Sequence, residues 1–311
     1  MKMKRLAILL LGAALGLVSS CSDQQQTGLG QVHPDSTVVN VAVLPTMDCL
    51  PIFLASDHGM FQRAGVLVKL AGFTAQMDAD TAFTGGSVQA MATDLVRAEN
   101  LRRQGVKLDY LTATNARWQL LTSHSARIKQ LAQLDDKKLA MTRYSATDML
   151  GDLIVDSARL GAERVFRIQI NDLNIRLQML QMDIMDAMLL PEPQATAARN
   201  LQGYVLLDAS EAFDLRLGVI ATRDSLLTEN QRASFCKAYN EACDSINEHG
   251  LRKYGDILAR RMGVSRHTLD SLPEKLTFQH ATAPRERDVE RASEWLNKRM
   301  EKVRTDQGLN R

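Results

Sequence analysis

VNVAVLPTMDCLPIFLASDHGMFQRAG, residues 39–65, decides how this chain is read. Val39 to Leu44 is a short apolar run rich in β-branched residues, the pattern of a buried strand. Pro45 to Cys49 reads as a loop, and the residues after it predict a helix ending near Gly59 or Gly65. Asp48 is the expected N-cap, its carboxylate accepting from the free amides of the first turn. Pro51 falls in that turn, where a missing N–H costs nothing. A loop leading from the carboxyl end of a strand into a helix N-terminus is where open α/β sheets bind small molecules. Such a unit is also an ordinary structural step, so the flanking sequence has to decide between the two.

The chain opens MKMKR, followed by the apolar run LAILLLGAALGLV, too short for a comfortable permanent span. Small residues then lead to Cys21. Charge, apolar run, small residues and cysteine follow in the order of a bacterial lipoprotein signal, which predicts cleavage after residue 20 and lipidation of Cys21. Residues 21–37 are polar and Gln-rich and read as a flexible tether. Without Lys2, Lys4 and Arg5 the chain carries 35 basic against 36 acidic side chains. That balance, with charges mixed along the chain, argues against a nucleic-acid partner. Cys49, Cys236 and Cys243 form no CxxC or zinc spacing. Cys236 and Cys243 share a helix face too far apart for a disulfide.

Beyond Gly65 the chain alternates strands and helices. Strands are expected at Val66 to Leu70, Val88 to Asp94 and Leu108 to Ala113. Their ends, like the end of the first, carry polar residues: Asp48, Thr93-Asp94, Thr112 and Thr114. Repetition of this kind predicts a polar rim along one edge of a parallel sheet. A second series starts near Leu131. Its strands are expected up to Met141, from Arg164 to Ile170 and from Ile184 to Leu190. Ser145 or Thr147 can cap the helix after the first of these, where Arg143 and the free amides suit an anion or a polar ligand edge. Glu192, bracketed by Pro191 and Pro193, is either a ligand carboxylate or the cap of the next helix. A long amphipathic helix, about Glu229 to Glu248, and two basic helices finish the chain.

The run Asp48 to Ala55, then His58-Gly59-Met60-Phe61 and Ala64-Gly65-Val66, resembles the opening of the periplasmic solute-binding proteins related to the sulfonate, taurine and nitrate binders and to the NMT1/THI5-like pyrimidine binders. Ala92 to Leu95, LAQLDDKKLAM (131–141) and DIMDAMLLPEP (183–193) resemble later motifs of that family, with Asp183 standing where the family usually has glycine. The resemblance implies an α/β fold of two Rossmann-like lobes with the ligand between them, a type II periplasmic binding protein. Lobe I would be residues 38–118 plus 217–311, and lobe II residues 119–216. The ligand residues it implies are Met47, Asp48, Cys49, Thr74, Met77, Thr93, Asp94, Arg143, Tyr144, Ser145, Thr147, Asn171 and Glu192. It implies no catalytic residues, metal or cofactor. It implies a monomer outside the cytoplasm, held by its lipid and delivering a small polar molecule to the permease and ATPase of an ABC importer.

Three carboxylates against one arginine would favour a ligand with N–H donors, such as an aminopyrimidine or thiamine precursor, over a bare anion; a sulfonate is the other candidate. Two further readings compete. One is a pyrimidine-synthesising enzyme, for which Cys49 beside a helix N-terminus is the only thiol placed for activation. The other is a ligand-sensing subunit of a membrane receptor.

Overall fold

A computed structural model describes residues 38–306 except Gln202 and Lys275. The predicted leader, Cys21 and the tether lie outside the described residues.

Strand β1 (Val38–Val43) enters a 3-10 turn (Met47–Cys49) and then α1 (Leu50–Asp57). All residues from Leu50 to Ala55 are buried, so α1 is a core helix with no polar face over that stretch. Pro51 lies in its first turn as expected. Asp48 does not cap it. The 3-10 turn already carries the chain onto the helical path, and the Asp48 carboxylate instead accepts from Thr114 Oγ1 at 3.1 Å. Gly59 and Gly65, both at positive φ, start and stop the short α2 (Met60–Ala64).

The rest of the first series is β2 (Leu67–Gly72), α3 (Gln76–Thr84), β3 (Ala90–Asp94), α4 (Leu95–Arg103) and β4 (Leu108–Ala113). The chain then crosses over residues 114–117 into β5 (Trp118–Thr122), a strand absent from the sequence reading. The second series comprises β6 (Lys137–Met141), α5 (Ala146–Ser157), β7 (Val165–Gln169), α6 (Leu173–Gln181), β8 (Ala187–Pro191), α7 (Gln194–Asn200) and β9 (Tyr204–Asp208). Helix α8 (Ala209–Ala212) begins the return to β10 (Gly218–Arg223). Helices α9 (Glu229–His249), α10 (Gly255–Met262), α11 (Arg266–Ser271) and α12 (Glu286–Asp306) follow.

These strands form two five-stranded sheets, β2-β1-β3-β10-β4 and β7-β6-β8-β5-β9. In each, the first three strands of the order are parallel. The fourth, β10 or β5, runs antiparallel and is the strand the chain enters directly after crossing between lobes. Each sheet therefore depends on both crossings. At the return, β10 is paired so that Gly218 faces Asp94, and a Cβ at Gly218 would collide with the Thr114 side chain and with Ala116. The two crossing segments pack too closely there for any side chain.

Asp183 has φ 54°, and its carboxylate accepts from Ser125 Oγ at 2.6 Å. A left-handed position explains why glycine is usual there; aspartate is among the few residues that tolerate it. One apolar cluster joins the lobes, with Leu95, Val96 and Leu217 meeting Leu139, Leu150 and Ile154, and α12 inserting Ala292 and Leu296. Cys49, Cys236 and Cys243 are free thiols.

Candidate functional site

The polar strand ends of the two sheets face each other across the crossing segments, and the lobes touch at both rims. On one side, Leu173 N donates to Thr74 O at 3.4 Å, and Ala75 and Asp172 form an isolated β-bridge. On the other, Met47 N donates to Glu192 O at 2.8 Å and Gln194 Nε2 to Pro45 O at 2.8 Å. Between the rims lies a cavity of about 60 Å³, walled by Thr46, Asp48, Gln76, Thr93 and Asp94 from the first lobe. Thr142, Ser145, Thr147, Asn171 and Arg176 wall it from the second, with Ala116 and Trp118 at the crossing.

Asp94 terminates β3 and begins α4. Its Oδ1 accepts from Arg97 N, which caps α4, and from Ala146 N, at the first turn of α5 in the opposite lobe, each at 3.0 Å. Burial pushes its carboxyl up to about 7 despite the amides that favour the anion. Asp48 is likewise raised by burial, with Thr46 and Thr114 opposing the shift. Thr93 Oγ1 accepts from Gln76 Nε2 at 3.2 Å. Ser145 caps α5 through Thr147 N, and Thr147 Oγ1 accepts from Thr142 N.

Arg176, which the sequence reading missed, is 2 % exposed. Its Nε donates to Ile170 O at 2.7 Å, Nη1 to Leu189 O at 3.1 Å and Nη2 to Thr142 Oγ1. Among the described residues no carboxylate pairs with it, and Asp172 is occupied in capping α6. Burial, with Arg97 nearby, lowers the guanidinium to about 10, so it stays charged at neutral pH. A buried cation whose hydrogen bonds all go to neutral oxygens, with Asp172 answering its charge only from a distance, keeps a field that an anion in the cavity would meet.

The other expected ligand residues lie elsewhere. Thr74 and Met77 sit on the rim, where Met77 Sδ accepts from Gln169 Nε2 at 3.4 Å. Arg143 is exposed, because Tyr144 adopts φ 54° and turns the chain between it and the α5 cap. Tyr144 packs against the core that joins the lobes, and its amide donates to Asp148 Oδ2. Cys49 is buried among apolar neighbours with its thiol pushed up by burial, the opposite of activation. Glu192 caps α7 through Thr196 N and takes hydrogen bonds from Gln119 and Arg199. With Met47 and Asp48 it lines a separate cavity of about 260 Å³. Among the described residues no group of three or more His, Cys, Asp or Glu is placed to hold a metal.

Two mixed five-stranded sheets, each completed by a strand from a crossing, with a cavity between them, define the type II periplasmic binding protein fold. Solved structures with this fold include the ligand-binding component of an ABC-type import system from Staphylococcus aureus, with zinc bound. It has TM-score 0.72 and 14% identity over 85% of this chain and 92% of that one. The periplasmic aliphatic sulphonate binding protein SsuA from Escherichia coli gives 0.71 and 16% over 85% and 88%. The periplasmic nitrate-binding protein NrtA from Synechocystis PCC 6803 gives 0.66 and 13% over 80% and 74%. At these identities the likeness is one of fold. No family model and no curated protein sequence matches the chain.

Proposed function

We propose that this chain is a lipid-anchored, extracytoplasmic solute-binding protein. It closes its two lobes around a small polar molecule and delivers it to an ABC permease and its ATPase. The observation that carries the reading is Arg176, a buried guanidinium without a carboxylate partner on the wall of a small cavity between closed lobes. Of the two ligand classes considered, it supports a small anion of the sulfonate type. Glu192, one of the three carboxylates that favoured an aminopyrimidine, is engaged at the first turn of α7. A raised thiol at Cys49 counts against the enzymatic reading. Residues 38–118 with 217–311, and 119–216, serve as the two moving bodies.

Thermal unfolding of the purified chain against sulfonates, nitrate, aminopyrimidines, thiamine fragments and amino acids tests this. A ligand at a hundredfold its Kd adds about 2.7 kcal/mol, a shift of several degrees. A response confined to small anions supports the reading; a response to aminopyrimidines alone overturns the ligand class, and a flat panel overturns the binding role. Cys21→Ser is expected to move the protein from the membrane fraction to the soluble one, and continued membrane association would refute the lipid anchor.

A further inference from the structure

We propose that the cleft binds its anion together with one proton, and that Asp94 carries that proton. This rests on the reading of the cavity as a solute site and concerns how that site works.

The geometry of Asp94 is unusual for an N-cap. One carboxylate oxygen serves two helix N-termini that belong to different lobes, accepting from Arg97 N on α4 and Ala146 N on α5. The first bond lies within one lobe and survives any separation of the two. The second exists only while the lobes are together. With that second bond made, Asp94 lies in the cavity wall, 6 % exposed.

The charges around it do not neutralise it. Arg97, on its own helix, is turned to Asp80 of α3 in an ion pair. Arg176, from α6, points its donors at Ile170 O, Leu189 O and Thr142 Oγ1. Asp48, after β1, shares the cavity wall as a second carboxyl group. The Tyr110 hydroxyl of β4 donates a hydrogen bond to Glu99 of α4, which also faces Arg102. From α5, Ser145 and Thr147 bring hydroxyls, and the buried Asp148 faces Arg167 and Arg299. An incoming anion thus meets one cation and two carboxyl groups on the wall of the same small cavity. If both were ionised, the cavity would hold three negative charges against one positive. Protonating one of them removes the imbalance.

Asp94 is the better placed of the two. Protonation at Oδ2 leaves Oδ1 accepting from both helix amides, so the link between lobes is kept while the hydroxyl becomes a donor for the ligand. In the closed form burial already raises this carboxyl to about 7. In the open form, in water, an ordinary carboxylate titrates near about 4. A group with the higher pKa in the closed, liganded state takes up a proton on binding between those values. Affinity is then highest at low pH and weakens by about tenfold per pH unit between about pH 5 and pH 7. It levels off above the closed-state value.

Methanesulfonate and nitrate are suitable probes, since neither changes charge in this range. Titration calorimetry of the full chain at pH 6, repeated in buffers of different ionisation enthalpy, reads the proton directly. The expected result is uptake of close to one proton and the stated decline in affinity. Asp94→Asn keeps an oxygen that can accept from both amides; it is expected to abolish the uptake and flatten the pH profile. Asp48→Asn is expected to leave the uptake in place. Binding without proton uptake in the unmodified protein overturns this proposal while leaving the solute-binding role standing. Uptake that survives in Asp94→Asn, or disappears in Asp48→Asn, moves the proton elsewhere and also overturns it. Failure of both probes to bind at any pH removes the anion site and this proposal with it.

Discussion

Arg176 lies between Leu173, Leu177 and Leu180 on the inner side of α6, a place where a charge is expensive unless its field is answered. Its fork reaches two carbonyls that end the neighbouring strands and a threonine hydroxyl, a geometry that lysine cannot copy. Arg176→Lys is therefore expected to weaken binding of a small anion by at least about tenfold. It should also lower the unfolding midpoint, since each orphaned buried carbonyl costs about 1–3 kcal/mol. Calorimetry and thermal unfolding together check this; unchanged affinity would remove Arg176 as the anchor. Arg143 was the arginine favoured by the sequence, because it stands beside a helix N-terminus. The left-handed turn at Tyr144 sends it to solvent, and backbone handedness at a non-glycine residue leaves little trace in one sequence. The arginine that does reach the cavity was legible as the one charge on an apolar stripe.

Helix α12 shows what the same limit means for a whole element. In the sequence it is one of the two basic helices that finish the chain. In the protein it buries Ala292 and Leu296 in the cluster shared by both lobes, and Trp295 Nε1 donates to Asp152 of α5 at 2.7 Å. Arg299 lies 3.5 Å from Asp148, a carboxylate fully buried on α5. Arg103 of α4 holds the same helix from the other side through Ser293 O at 2.6 Å. Leu296→Ala is expected to cost about 2–5 kcal/mol through loss of contacts and a residual cavity. Chemical denaturation reads it as a lower midpoint with little change in slope. A cost below about 1 kcal/mol would mean α12 is not part of the joint core. Strand β5 escaped the sequence reading for a related reason. It is short, follows a crossing without a clear turn signal, and owes its place to β8 and β9, which come later in the chain.

At the scale of the molecule, the lobes share an apolar cluster and are tied at the rims of the cavity by a few hydrogen bonds. Gln194 Nε2 to Pro45 O is one supplied by a side chain, so it can be removed alone. Gln194→Ala is expected to weaken ligand binding about fivefold, the equivalent of roughly 1 kcal/mol, mainly through faster release. Stopped-flow dissociation checks this, and an unchanged release rate would show that this rim does not hold the lobes shut. The alternating strands and helices, and the polar residues at the strand ends, were determined by the sequence itself, because hydrophobic period and capping chemistry are local. Asp48, Asp94, Ser145 and Thr147 were therefore found before their partners were known. Which of these groups share a cavity was decided only by the tertiary structure. Asp94 meets Ala146 only after two crossings bring the strand ends of the two sheets together, whereas Arg176 meets Thr142 within the second lobe once α6 packs on its sheet. Burial, and with it the altered acidity of Asp94 and of Arg176, comes from that packing, because desolvation is a property of the assembled neighbourhood.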